Sequence, residues 1–283
     1  MARKQSIKRI FCATLALTSA FASAAMMIAC ETSHPEVSME LEFNGKSYTL
    51  EYELYRKLTP ATASHFLELV EANYYDGLCV HDYTSSSWGM GGYSYDETKT
   101  DEGGLVYKDY FTAVKSISKM PIRVWKDANK SESTYTLYGE FSKNNFKVTH
   151  DKNLNGFGAL TMYYTTKSDL YDVWCEKHDG LLAKNPYNYN SATSMFTMNV
   201  STSTTKYDNR CTFATLKEDS VDDLEALKAA VADYIEDFSE EEDFAPEVEV
   251  SINENDPFVG SGFDDFNVPV KPIVIKEMKV IKW

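Results

Sequence analysis

Two alternating runs meet at an Asn-Gly pair in "SMELEFNGKSYTLEYELY", residues 38–55. Met39, Leu41 and Phe43 alternate with polar residues before it, and Tyr48, Leu50, Tyr52 and Leu54 alternate after it. Period-two alternation commits one face of each run to a core. Asn44-Gly45 supplies the two positive-φ positions of a tight turn. The stretch is therefore expected to be a β-hairpin, and whatever follows must cover its apolar face.

Helical patterning appears twice. In "TPATASHFLELVEANYYDG" Thr59 is the expected cap, Pro60 suits the first helical position, and Ala63, Phe66, Leu67 and Val70 share one face. His65 is expected at the surface or near the cap. In "SVDDLEALKAAVADYIEDF" Ser220 and Asp223 form a capping-box-like start, and Leu224, Leu227, Val231, Ile235 and Phe238 mark the buried stripe. "LCVH", "TYTLYGEF", "FGALTMYYTT", "SATSMFTMNV", "CTFATL" and "VPVKPIVIKEMKVIKW" read as strands or loop-strand segments. Residues 98–136 and 167–190 read as irregular inserts. Residues 240–266 are acidic and carry Pro and Gly, which predicts a flexible surface loop. Short strands with two helices predict a mainly β fold, an antiparallel barrel or sandwich with helical caps.

The formal charge is −15, and residues 1–29 hold Arg3, Lys4, Lys8 and Arg9 with no acid. The rest of the chain is thus more acidic still, which excludes nucleic acid as the main partner. "MARKQSIKRIFCATLALTSAFASAAMMIAC" has a basic start and an apolar run of small residues, the pattern of a secretory signal peptide over 1–29. "MIAC" resembles a bacterial lipobox, so Cys30 is expected to be the first mature residue and to carry lipid, with residues 30–37 as a polar tether. Cleavage after "ASA" at 22–24 is the alternative and leaves a secreted protein. The lipid reading places the chain outside the cytoplasmic membrane of a bacterium, anchored as a lipoprotein. Cys79, Cys175 and Cys211 show no C-x-x-C spacing, so no disulfide framework is expected. No metal site and no cofactor are expected, since the histidines show no ligand spacing. "GMGG" at 89–92 lacks the Lys-Ser/Thr that follows in a phosphate loop. His81 and Asp82 are strand neighbours expected to point to opposite faces, so His81 reads as a structural histidine and not half of a dyad.

In their order these segments resemble the cyclophilin-type peptidylprolyl isomerases over 38–283. "TPATASHFLELVEANYYDGLCVH" resembles the family's helix, Tyr-Asp-Gly turn and Phe-His-Arg strand. "YGEFSKNNFKVTHDKNLNGFGALTM" is similar to its Gly-Glu-Phe and Gly-x-Leu-Ser-Met run, and "NSATSMFTMNV" to Asp-Ser-Ala-Ser-Ser-Gln-Phe-Phe-Ile. The resemblance implies an eight-stranded antiparallel barrel, two capping helices and a peptide groove on the outer face. It also implies action on proline-containing polypeptides, here exported clients, by a monomer.

The same resemblance locates the site. His81 matches the family's histidine, while Asp82 stands where its catalytic arginine belongs. Ser87 replaces a pocket phenylalanine, Trp88 the methionine and Met90 a glutamine; Met195 replaces the second glutamine and Thr197 the second phenylalanine. Phe196 matches, and Cys211 falls near a groove histidine. Tyr163 and Tyr164 are expected along the groove, as fillers or as contact anchors. A carboxylate cannot donate the hydrogen bond that an arginine gives the proline nitrogen, so isomerase activity is expected to be weak or lost. The alternative is a binding module that keeps the barrel without catalysis. Arg123 and Arg210 are the candidates for a substitute donor.

Overall fold

The computed structural model describes residues 34–99, 101–146, 155–165, 171–177, 179–204, 209–236, 244–252 and 262–283. The signal segment, Cys30 and Phe238 lie outside them. The expected hairpin is formed by β1 (Glu36–Phe43) and β2 (Lys46–Leu54). Asn44 and Gly45 both take positive φ, 49° and 78°. Every apolar member of the alternation is buried.

The chain then adds α1 (Pro60–Glu71), β3 (Leu78–Tyr83) and β4 (Ser87–Tyr95). Next come β5 (Leu105–Tyr107), α2 (Tyr110–Lys115), β6 (Val124–Trp125) and β7 (Leu160–Met162). β8 (Asp172–Glu176), β9 (Leu182–Pro186), β10 (Phe196–Asn199), β11 (Thr212–Leu216) and α3 (Val221–Ile235) follow. β12 (Glu247–Ile252), β13 (Gly262–Asn267) and β14 (Val274–Lys282) end it. The main sheet runs β10-β7-β11-β2-β1-β14-β3-β4, and β10 also pairs with β4. That extra pairing closes an eight-stranded antiparallel barrel, which removes the exposed sheet edges. The rungs of closure run from Phe196 opposite Met90 to Asn199 opposite Ser87. The far half of β4 pairs with β5.

Both helices form where the periodicity predicts, but neither is capped as expected. Thr59 makes no cap bond. The buried Glu140 carboxylate does the work instead, accepting from the Ala61 and Thr62 amides at 3.1 and 2.8 Å and from the Thr62 hydroxyl at 2.6 Å. A carboxylate suits the positive end of a helix and satisfies donors that the helix leaves unpaired. Burial nevertheless raises the Glu140 pKa, which these bonds partly offset. Ser220 likewise makes no cap bond; its hydroxyl accepts from the Glu51 amide of β2 at 2.9 Å and ties α3 to the hairpin. Phe66 of α1 meets Phe213 and Phe196 at ring-centre distances of 4.9 and 5.5 Å.

The described residues of the inserts form regular structure that their composition does not suggest. Those at 98–136 and 167–190 share a three-stranded sheet, β6-β8-β9. Tyr110 of α2 packs against His65, which is buried and not at the surface. Its Nε2 lies 3.0 Å from the Thr193 carbonyl and 3.2 Å from the Tyr110 hydroxyl. The described part of the third insert is the β12–β13 hairpin, not a loose loop. Its Val250, Phe266 and neighbouring Val268 pack with Cys79, Tyr93 and Met195. Phe266 also covers the His81 ring at 5.0 Å.

Two outcomes follow from these buried groups. Glu140→Ala leaves helix donors unpaired and is expected to cost roughly 3 kcal/mol in urea unfolding, against roughly 1 kcal/mol for Thr59→Ala; the reverse order contradicts the cap. Burial holds both histidines neutral, His65 down at about 4 and His81 at about 3. The unfolded chain protonates them near 6.5, so their stabilisation is full above that pH and is lost as pH falls below it. Between pH 6.5 and 5 each ring contributes a slope of up to about 1.4 kcal/mol per pH unit. His81→Phe is expected to flatten the fall in that window, and parallel curves for the two proteins contradict the assignment. The raised Asp82 and Glu140 carboxyls act in the opposite sense, gaining stability as pH falls.

Candidate functional site

The site grows from the β3–β4 turn. The Thr84 hydroxyl accepts from the Ser87 amide at 3.0 Å, which folds the chain back into β4. Register shifts interrupt the β3–β4 ladder on both sides of Val80. His81 and Asp82 both meet β13: the His81 ring contacts Phe266, and the Asp82 carboxylate accepts from the Asn267 amide. Gly89 lets the strands approach, because a Cβ there would lie 3.0 Å from the Asp82 Cβ.

Asp82 is half-buried and accepts from the Asn267 backbone amide at 3.3 Å. Burial raises its pKa and the nearby Asp264 adds to this, while the Asn267 bonds lower it. Asp82 lines a cavity of about 300 Å³ with Ser87, Tyr163, Tyr164, Thr197 and Arg210. The Tyr163 hydroxyl donates to Asp264 Oδ2 at 3.1 Å. Two groove positions are thus bonded to the chain's own third insert. A second cavity, about 470 Å³, shares Ser87, Thr161, Thr197 and Arg210 with the first. Both are of the size that takes small ligands or side chains.

The structure brings Asp82, Ser87, Tyr163, Tyr164 and Thr197 together at this cavity and leaves the other expected groove residues out of its lining. Trp88 is buried in a stack on Tyr83, with ring centres 5.9 Å apart. Its partner across the closure is Met198, which accepts from the Tyr52 hydroxyl inside the barrel. Met90 faces Phe196 across the same ladder, and both are fully buried. The alternation of β4 and β10 explains this: Ser87 and Thr197 face out, so their neighbours face in. Met195 packs under Phe266, and a Cβ on Gly92 would come within 2.7 Å of its sulfur. Cys211 is buried, its Sγ 3.5 Å from the Thr62 hydroxyl; burial raises its pKa, so it is no reactive thiolate. His81 is buried beneath Phe266 and Tyr93.

Sequence reading did not find Asp264, Phe266 and Asn267, whose segment showed only its acidity. It named both arginines, and the structure separates them. Arg210 lines both cavities, whereas Arg123 pairs with Glu176 near the start of α1.

None of the curated proteins compared matches the chain. Among solved structures, a cyclophilin-type peptidyl-prolyl cis-trans isomerase of Cryptosporidium parvum aligns at 15% identity and a TM-score of 0.43, covering 87% of this chain and 97% of its own. A second structure of it, in the presence of the dipeptide Ala-Pro, gives the same identity and TM-score and covers 98% of its own chain. The model of the cyclophilin-type peptidyl-prolyl cis-trans isomerase family matches residues 38–254. The chain belongs to that family.

Proposed function

We propose that the chain binds extended segments of exported polypeptides, proline-containing ones among them, and isomerises X–Pro bonds weakly or not at all. The X–Pro bond rotates over a barrier of about 20 kcal/mol, and the family's arginine lowers it by donating a hydrogen bond toward the proline nitrogen. The observation that carries the reading is Asp82. The resemblance puts it at the arginine's position; it lines the cavity, and its carboxylate accepts from the Asn267 amide. An ionised carboxylate has no proton to donate and repels the lone pair that develops on nitrogen. Loss of one such donor costs roughly 10²–10³ in rate. The lining around it has changed as well. Ser87 and Thr197 give hydroxyls where the resemblance implies phenylalanines, and a proline ring needs apolar walls. Arg210 is the guanidinium that lines both cavities among the described residues, so residual turnover is assigned to it.

A protease-coupled assay on an Ala-Pro peptide is expected to give kcat/KM at least about 100-fold below that of an arginine-bearing family member. Arg210→Ala lowers it further. Asp82→Arg alone leaves it low, and Asp82→Arg combined with Ser87→Phe and Thr197→Phe raises it. Arginine-like turnover in the wild type contradicts the proposal.

The chain works outside the cytoplasmic membrane, held there by lipid on Cys30 and carried by the polar tether after it. The basic, small-residue leader and "MIAC" support this. Cells fed radioactive palmitate are expected to label the wild type and not Cys30→Ala. Equal labelling of both contradicts the anchor.

A further inference from the structure

The larger cavity has an unusual lining. Among the described residues it consists of six hydroxyl residues, Asn155, Asn199 and Arg210, with no aliphatic or aromatic side chain and no acid. An internal network fixes it. The Asn199 amide donates to the Asn155 and Gly156 carbonyls at 3.0 and 3.1 Å, and its oxygen accepts from the Ser201 amide at 2.9 Å. The Thr161 and Thr212 hydroxyls bond at 2.8 Å, and Thr212 in turn bonds Asn155. A hydroxyl has one donor and two acceptor positions, so these bonds orient the wall and leave it capacity for a ligand.

The chemistry excludes three kinds of occupant. An apolar ring covers the hydroxyls and returns no hydrogen bond. A basic group meets Arg210. An acidic group gains Arg210 but also meets Asp82, which lines the adjoining cavity with it, on a chain of formal charge −15. An uncharged group that both donates and accepts avoids every one of these penalties. Resting on the reading of this groove as a polypeptide site, we propose that the cavity is a subsite for an uncharged polar side chain, a glutamine, asparagine, serine or threonine of the bound segment. Thr197 carries this specificity together with Ser87 and Thr161, the other hydroxyls in the wall that both cavities share.

The test is binding of fluorescently labelled, end-blocked peptides Ala-Ala-Xaa-Ala-Ala to the full chain, followed by anisotropy, with Xaa as Gln, Leu, Pro, Glu or Lys. The Gln peptide is expected to bind about tenfold more tightly than the other four. Thr197→Val keeps the shape and removes the hydroxyl, and it is expected to bring the Gln peptide down to the Leu peptide without weakening the latter. A Pro or Leu peptide that binds tightest overturns the subsite and leaves the polypeptide reading standing. So does a Gln preference that survives in Thr197→Val. Failure of all five peptides to bind overturns both.

Discussion

The structure depends on one short ladder, the antiparallel pairing of β4 with β10 that closes the barrel. Its approach requires glycine. Gly91 has φ +97°, and a Cβ there would lie 2.6 Å from the Ser194 carbonyl. The Ser194 hydroxyl donates to the Gly91 carbonyl at 2.7 Å, and the Tyr75 hydroxyl donates to the Ser194 carbonyl at 3.1 Å. The turn that follows α1 is thereby bound to the seam. Closure also sorts side chains. It sends Trp88, Met90, Phe196 and Met198 into the core and leaves Ser87 and Thr197 to line the cavities. The outer surface at the seam is polar because those two outward positions are hydroxyls.

The third insert acts on the same surface. Its hairpin packs Phe266 over His81 and Tyr93, and its backbone and Asp264 engage Asp82 and Tyr163. Asp82 therefore serves as an acceptor within the fold, and the cavity beside it is lined by Met162, Tyr163, Tyr164 and Tyr189 as well as by Ser87, Thr197 and Arg210. A carboxylate half-buried next to Asp264 is costly unless something donates to it, and the Asn267 amide does. Asp82 and the hairpin that meets it form one arrangement.

Much of the barrel is legible in the sequence because its signals are local. Asn44-Gly45 fixes a turn by backbone conformation, and the alternation on either side fixes which faces are buried. The stripes of α1 and α3 follow from 3.6-residue spacing. The features that differ are set at long range. Thr59 and Ser220 have the right chemistry for caps, but Glu140 takes the donors of α1, and the Glu51 amide takes the Ser220 hydroxyl. His65 is buried and meets Tyr110, 45 residues away in an insert. The register shifts on either side of Val80 leave no mark on strand periodicity. At the site, Asp82, Ser87 and Thr197 were readable by resemblance, whereas the hairpin that bonds Asp82 comes from a segment whose acidity predicts a loop.

A crystal structure grown in the presence of the dipeptide Ala-Pro tests the central claim most directly. The account predicts no proline ring between Ser87 and Thr197, with Asp82 still bonded to the Asn267 amide. A proline ring seated there, with Asp82 released from the Asn267 amide, contradicts it.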